Sequence, residues 1–231
     1  MNDTDFERSW LSKFSSCLDK IAGEDTRKKI LQGSKKLTSD SHSDETIEWT
    51  RQAMDRLDAL VDEKKVEIMT GCACRYPESE LSEIRDAYAK AKDIGVAHRM
   101  LKDKFVSFLK NDLGLEDDLV QEIMNRGWGS AGVREGNTII ATKIPKSGNL
   151  VKYLKETDRE KRRELYCHCP RIREAIGSDT KISPTYCYCG AGFYKGIWEY
   201  ILQQPVKVEL LESVLSGDEV CKVAIHLSTT R

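Results

Sequence analysis

The hydrophobic period of this chain changes at NRGWGSAGVREGN, and that change limits the folds open to it. Before it, apolar residues recur every three or four positions, the spacing of one helix face. Phe6, Trp10, Phe14, Leu18 and Ile21 form the first such stripe, and Gly23 closes it. A polar helical stretch at 26–32 and a Ser/Asp loop, LTSDSHSDE, follow. A long helix from about Asp44 toward Gly71 carries Ile47, Met54, Leu57 and Val61 on one face. Pro77 opens another with Leu81, Ile84, Tyr88 and Ala91, and Val96, Met100, Leu101, Phe105, Phe108 and Leu109 mark the next. Residues 1–126 therefore read as a helical region of five or six helices.

Gly127, Gly129, Gly132 and Gly136 make 127–136 a connector rather than a phosphate loop, because no Lys-Ser/Thr follows them. Residues 137–231 then read as an α+β unit. NTIIATKIP is a strand, 148–166 a charged helix, and Phe193 to Leu202 a helix carrying Ile197, Trp198, Ile201 and Leu202. PVKVEL and CKVAIHL alternate around Gly217-Asp218, which predicts an antiparallel hairpin with Cys221, Val223, Ile225 and Leu227 on one face. The expected fold class is α+β, a helical N-terminal half packed on a smaller antiparallel sheet with helices.

The formal net charge is -1, so no basic excess marks a nucleic-acid partner. No apolar run is long enough to span a bilayer, and MNDTDFERSW lacks the charged and apolar regions of a leader, so a cytoplasmic, membrane-free protein is expected. In a reducing compartment the eight cysteines read as metal ligands or reactive groups before structural disulfides.

Six of the eight fall in Cys-X-Cys pairs: Cys72/Cys74, Cys167/Cys169 and Cys187/Cys189. In extended chain, residues i and i+2 share a face with Cα atoms about 6.5 to 7 Å apart, at the edge of what a disulfide permits. Such a pair is instead a reasonable half of a tetrahedral thiolate site. Cys167, Cys169, Cys187 and Cys189 would supply four sulfurs, with Cys221 a fifth candidate. Zinc is the expected ion, since iron-sulfur clusters use other spacings.

Two alternatives stand beside the metal. Free cysteine often serves as a small apolar core residue, which suits Cys17, next to Leu18 on the first helix. A nucleophile is the other, with Cys72 and Cys74 just ahead of the Pro77 helix, whose N-terminus would favour the thiolate, and with His168 between two cysteines. Tyr186, Tyr188, Tyr194 and Trp198 crowd the same region and are candidates to line a small-molecule pocket, although core packing of a helix on the sheet is the default reading of Tyr194 and Trp198.

YCYCGAGFYKGIWEYILQQPVKVELLESVLSGDEVCKVAIHL resembles the end of the 4-vinyl reductase domain. That resemblance implies small-molecule binding. In the family's bacterial sensors it also implies a zinc ion held by a cysteine at the helix start, an acidic residue and a cysteine on the penultimate strand, and the cysteine after Gly-Asp. The first and last correspond to Cys187 and Cys221, while Ser213 stands at the strand cysteine, with Glu209 and Glu212 nearby. The whole chain is also similar in plan to the L-2-amino-thiazoline-4-carboxylic acid hydrolase-like family, which implies a ring-opening hydrolase.

The expected function is a small-molecule-binding protein with a cysteine-based zinc site. A hydrolase using a Cys thiolate or metal-bound water, and a partner-binding scaffold with inert thiols, are the alternatives. A small molecule is the expected partner, with homo-oligomerisation left open.

Overall fold

The computed structural model describes residues 3–34 and 43–227. The chain begins with α1 (Asp3–Ala22), α2 (Glu24–Ile30), α3 (Ser43–Leu60), α4 (Lys65–Gly71), α5 (Ser82–Ala91), α6 (Ile94–Ser107) and α7 (Asp117–Asn125). Two strands follow, β1 (Val133–Glu135) and β2 (Thr138–Thr142), and then α8 (Leu150–Lys155), α9 (Arg159–Tyr166), α10 (Pro170–Ile176) and α11 (Tyr188–Leu202). The hairpin of β3 (Lys207–Glu212) and β4 (Lys222–His226) ends the described chain. The class is α+β, as the change of period predicts. Phe6 and most of LTSDSHSDE lie outside the residues whose side chains are described.

The first stripe packs as expected. Trp10, Phe14 and Leu18 are buried, each one turn apart, and α1 stops before Gly23, whose φ of 85° few other residues adopt. The long helix expected from Asp44 to Gly71 is broken instead. Val61 leaves helical geometry, a 3-10 turn spans Asp62–Lys64, and Lys65 reaches back to Asp58 at 3.3 Å. The break lets α4 turn inward and bury Ile68, Met69 and Thr70 against α1 and α11.

The charged helix expected at 148–166 is likewise two helices, α8 and α9. Glu156 Oε1 accepts from the amides of Thr157 and Asp158, and Asp158 caps α9 by accepting from the Lys161 amide at 2.9 Å. The stretch 127–136 pairs with β2. The Trp128 backbone bridges to Thr142, the Gly129 amide donates to the Thr142 carbonyl, and β1 lies within the segment.

The four strands pair antiparallel in the order β1-β2-β4-β3. Ile139 and Ala141 of β2 lie opposite Ile225 and Val223 of β4, and all four are buried. Ile197, Trp198 and Ile201 of α11 belong to the same cluster, which also takes in Leu81, Ile84 and Leu101 from the first half. A second cluster runs from Trp10 and Phe14 to Tyr166, Ile182 and Val214. Each core thus draws on both sides of 127–136. Among the described residues no helix is long and apolar enough to cross a membrane.

Candidate functional site: a band of thiols around Lys143

The Cys-X-Cys pairs do not act as units. Cys187 ends a 3-10 turn, Pro184–Cys187, and Cys189 lies in the first turn of α11, so the two side chains diverge rather than share a face. Cys72 is buried and Cys74 exposed. Only Cys167 and Cys169 sit in extended backbone, between α9 and α10. The expectation of two same-face pairs converging on one ion therefore fails for Cys187/Cys189, because helix rather than strand carries them.

Each pair divides its thiols between two directions. Cys187 forms a side-chain hydrogen bond with Cys221 and a second with Ser213, and Cys167 lies within electrostatic reach of both cysteines. Cys169 goes the other way, its sulfur 3.0 Å from the Tyr186 hydroxyl, and Cys189 meets Trp10 of α1. Trp10 stacks on Tyr186 with ring centroids 5.2 Å apart, which closes that side of the band.

The β3–β4 connection shapes the Cys221 end. Ser213 is buried, its hydroxyl accepts from the Leu215 amide at 3.1 Å, and its own amide donates to Asp218 Oδ2 at 2.8 Å. Gly217, with φ of 95°, completes this turn. The Val214 amide is thereby placed to donate to the Cys221 sulfur. Hydrogen bonds donated to sulfur favour thiolate over thiol.

Lys143 brings positive charge to the site, where Arg173 also acts on Cys167. Lys143 follows β2, and its amide donates to the Cys221 carbonyl at 2.9 Å, extending the β2–β4 ladder by one residue. The Tyr166 hydroxyl completes this corner, donating to the Lys143 carbonyl at 2.6 Å and accepting from the Cys221 amide at 2.8 Å. Burial would lower the Lys143 pKa, but Cys167, Cys221, Cys169 and Cys189 around the ammonium outweigh it and hold the pKa up. A packed cation without anionic neighbours is costly, so this lysine favours negative charge on the sulfurs.

Burial pushes the Cys167 thiol up to about 11 and Cys189 to about 12. Cys187 and Cys221 titrate as a pair. The hydrogen bond from Cys187 makes the first proton easy to lose at Cys221, with Lys143 assisting against burial, and it drives Cys187 well above the usual thiol range. The His168 ring is held neutral. Burial and then Lys143 drive its pKa down to about 3, and the neutral ring holds the Ile144 carbonyl at 2.9 Å.

Of the two candidate nucleophiles, Cys74 is exposed and Cys72 buried. Cys72 follows the C-terminal end of α4, not a helix N-terminus, and contact with Cys17 together with burial raises its pKa far above normal. The low thiol there is Cys17, held at about 7 chiefly by the hydrogen bond with Cys72. Cys17 is half-buried and packs against the core that holds its neighbour Leu18.

Of the aromatic residues expected around a ligand, Tyr186, Tyr194 and Trp198 are buried in the cores. Tyr188 alone lines an open cleft of about 290 Å³, with Lys65, Thr185, Leu210, Glu212 and Ser213. The cleft adjoins the thiol site directly, since Tyr188 follows Cys187 and Ser213 hydrogen-bonds to it. A larger hollow of about 480 Å³, between α8 and α9, is lined almost wholly by charged side chains and holds none of the cysteines.

Sequence reading misses Lys143, Tyr166 and Asp58. Asp58 of α3 accepts from Ser183 Oγ at 2.6 Å and Thr185 Oγ1 at 2.8 Å, and so anchors the turn that delivers Cys187. Nothing in local pattern marks these three, because their partners are distant in sequence.

Among the described residues no three His, Cys, Asp or Glu side chains stand close enough to share one ion. A family model described as a family of unknown function (DUF6144) matches residues 135–231, the span that holds Lys143 and Cys167, Cys169, Cys187, Cys189 and Cys221. No curated protein and no solved structure matches the chain.

Proposed function

We propose that the chain is a small-molecule-binding protein built around a cysteine-held zinc ion, with Cys167, Cys187 and Cys221 as ligands. The supporting observation is that Cys187, from the turn before α11, touches Cys221, from the start of β4, with Cys167 and the Lys143 ammonium beside them. Soft thiolates suit zinc. The Val214 amide and the Ser213 hydroxyl supply the second layer of hydrogen bonds that tunes such ligands.

Closing Cys167 onto the contacting pair is the rearrangement this reading requires. Cys169 and Cys189, turned toward Tyr186 and Trp10, stay outside the ligand set. Bound zinc would tie α9, α11 and β4 together and place a Lewis acid beside the cleft. The resemblance to the 4-vinyl reductase domain, whose sensors use the positions of Cys187 and Cys221, supports the same choice. A reducing cytoplasm, where thiols stay available, is the compartment that fits it.

The cleft at Tyr188 is the proposed ligand entrance. Its mixture of Leu210, Tyr188, Thr185 and Ser213 suits a small, partly polar molecule. Metal analysis of untagged protein tests the reading. About one zinc per chain is expected, and less than about 0.2 would defeat it, since a thiolate site of structural affinity stays filled. Cys187→Ser and Cys221→Ser should each lose the ion, whereas Cys74→Ser, an exposed position, should keep it.

A further inference from the structure

A second thiol pair lies apart from Cys167, Cys187 and Cys221. Cys17 projects from α1 over the last turn of α4, and its side chain meets that of Cys72. Gly71 makes the approach possible: a Cβ at that position would stand 2.5 Å from the Cys17 sulfur. Cys72 is buried, with its sulfur 3.2 Å from the Ile68 carbonyl, while Cys17 retains access to solvent. The arrangement pairs an accessible thiol, which an external disulfide can reach, with a sheltered one beside it.

We propose that Cys17 and Cys72 form a reversible dithiol–disulfide site that is oxidised by small-molecule disulfides. The Cys17 thiolate attacks one sulfur of the external disulfide, forms a mixed disulfide and releases one thiolate, which takes up a proton. Cys72 then loses its proton and attacks the Cys17 sulfur, releasing the second thiol. Two protein thiols and one disulfide thus become one protein disulfide and two small thiols, with the two electrons passing to the reagent.

The surroundings favour this order. Cys72 carries a single S–H, which serves the Ile68 carbonyl while Cys17 is protonated and the Cys17 sulfur once it is anionic. Lys20 and Arg75 add positive charge near Cys17 and oppose the weaker effect of Glu67. Cys17 is therefore the attacking and Cys72 the resolving cysteine. The product is a covalent tie between α1 and the end of α4, beside the start of α11.

The test uses the full chain carrying Cys74→Ser, which removes the exposed competitor. After reductant is removed, the protein is treated with glutathione disulfide at neutral pH and its peptides are mapped by mass spectrometry. The expected product is a Cys17–Cys72 linked peptide that dithiothreitol reverses. Adding Cys72→Ser should instead trap glutathione on Cys17. Adding Cys17→Ser should leave Cys72 unmodified and slow overall reaction at least about tenfold. Glutathione that stays on Cys17 in the protein retaining Cys72, or equal modification of Cys72 with and without Cys17, would overturn the proposal.

Discussion

The Tyr166 hydroxyl accepts a hydrogen bond from the Cys221 amide at 2.8 Å and donates one to the Lys143 carbonyl at 2.6 Å. One buried phenol thus fixes the end of β2 and the start of β4 relative to each other. Tyr166→Phe leaves a buried amide and a buried carbonyl to find other partners, which costs about 1 to 3 kcal/mol. Urea denaturation should show that loss, and zinc should exchange faster with a chelator. An unchanged midpoint and exchange rate would mean that the hydroxyl does not organise the site.

Lys143 should matter through charge. Lys143→Met keeps the length of the stem but removes the ammonium around which Cys167, Cys221, Cys169 and Cys189 gather. Zinc affinity, measured by competition with a chromogenic chelator, is expected to fall by about 10- to 100-fold, the usual effect of losing a supporting group near a metal. Retained affinity would remove Lys143 from the site's electrostatics.

Asp58 acts on Cys187 at a distance. Its carboxylate holds Ser183 and Thr185, the residues that set the turn ending at Cys187. Asp58→Ala should destabilise the fold by about 1 to 3 kcal/mol through the hydroxyls it orphans. It should also weaken zinc retention, whereas exposed Leu211→Ala should stay within about 0.5 kcal/mol of the parent and keep the ion. Equal zinc retention in the two variants would show that the turn is held without Asp58.

The start of α11 depends on one glycine. A Cβ at Gly192 would collide with the Thr70 carbonyl and press on Ala73 at 2.8 Å. Gly192→Ala should therefore destabilise the protein by about 1 to 3 kcal/mol, the cost of overpacking, although alanine is the better helix former. A thermal unfolding midpoint at or above the parent's would show that α4 and α11 can separate without penalty.

Cys17 gives the chain a titration near neutrality. Its pKa, lowered from 9.0 to about 7, means that thiolate is favoured by the folded state. Iodoacetamide labelling of Cys17 should rise from pH 6 to 8 and level off above, and the associated stabilisation should appear between pH 7 and 9 and vanish below pH 7. Labelling that rises only around pH 9 would place Cys17 out of contact with Cys72.

The legible parts of the fold were those governed by local period. The stripe of Trp10, Phe14 and Leu18 and the alternation of Val223 with Ile225 need only helix and strand geometry to be read. Breaks were less legible, because no Gly or Pro marks them: Val61 leaves helical geometry without one, and the Thr157 amide is held by the Glu156 side chain. Gly190 and Gly192 argue locally against a helix start at Tyr188, yet close packing on Thr70 requires glycine at 192. At the site, the cysteines announced themselves by type and number. Their sorting into Cys187/Cys221 and Cys17/Cys72 rested on contacts between distant segments, and neither spacing nor composition carries that information.

X-ray absorption at the zinc edge on the untagged protein tests the proposed metal centre most directly. The expected spectrum has a sulfur-dominated first shell at about 2.3 Å, lost together with the ion in Cys187→Ser and Cys221→Ser. A first shell of nitrogen and oxygen alone, or a spectrum unchanged by those two substitutions, would contradict a site built on Cys187 and Cys221.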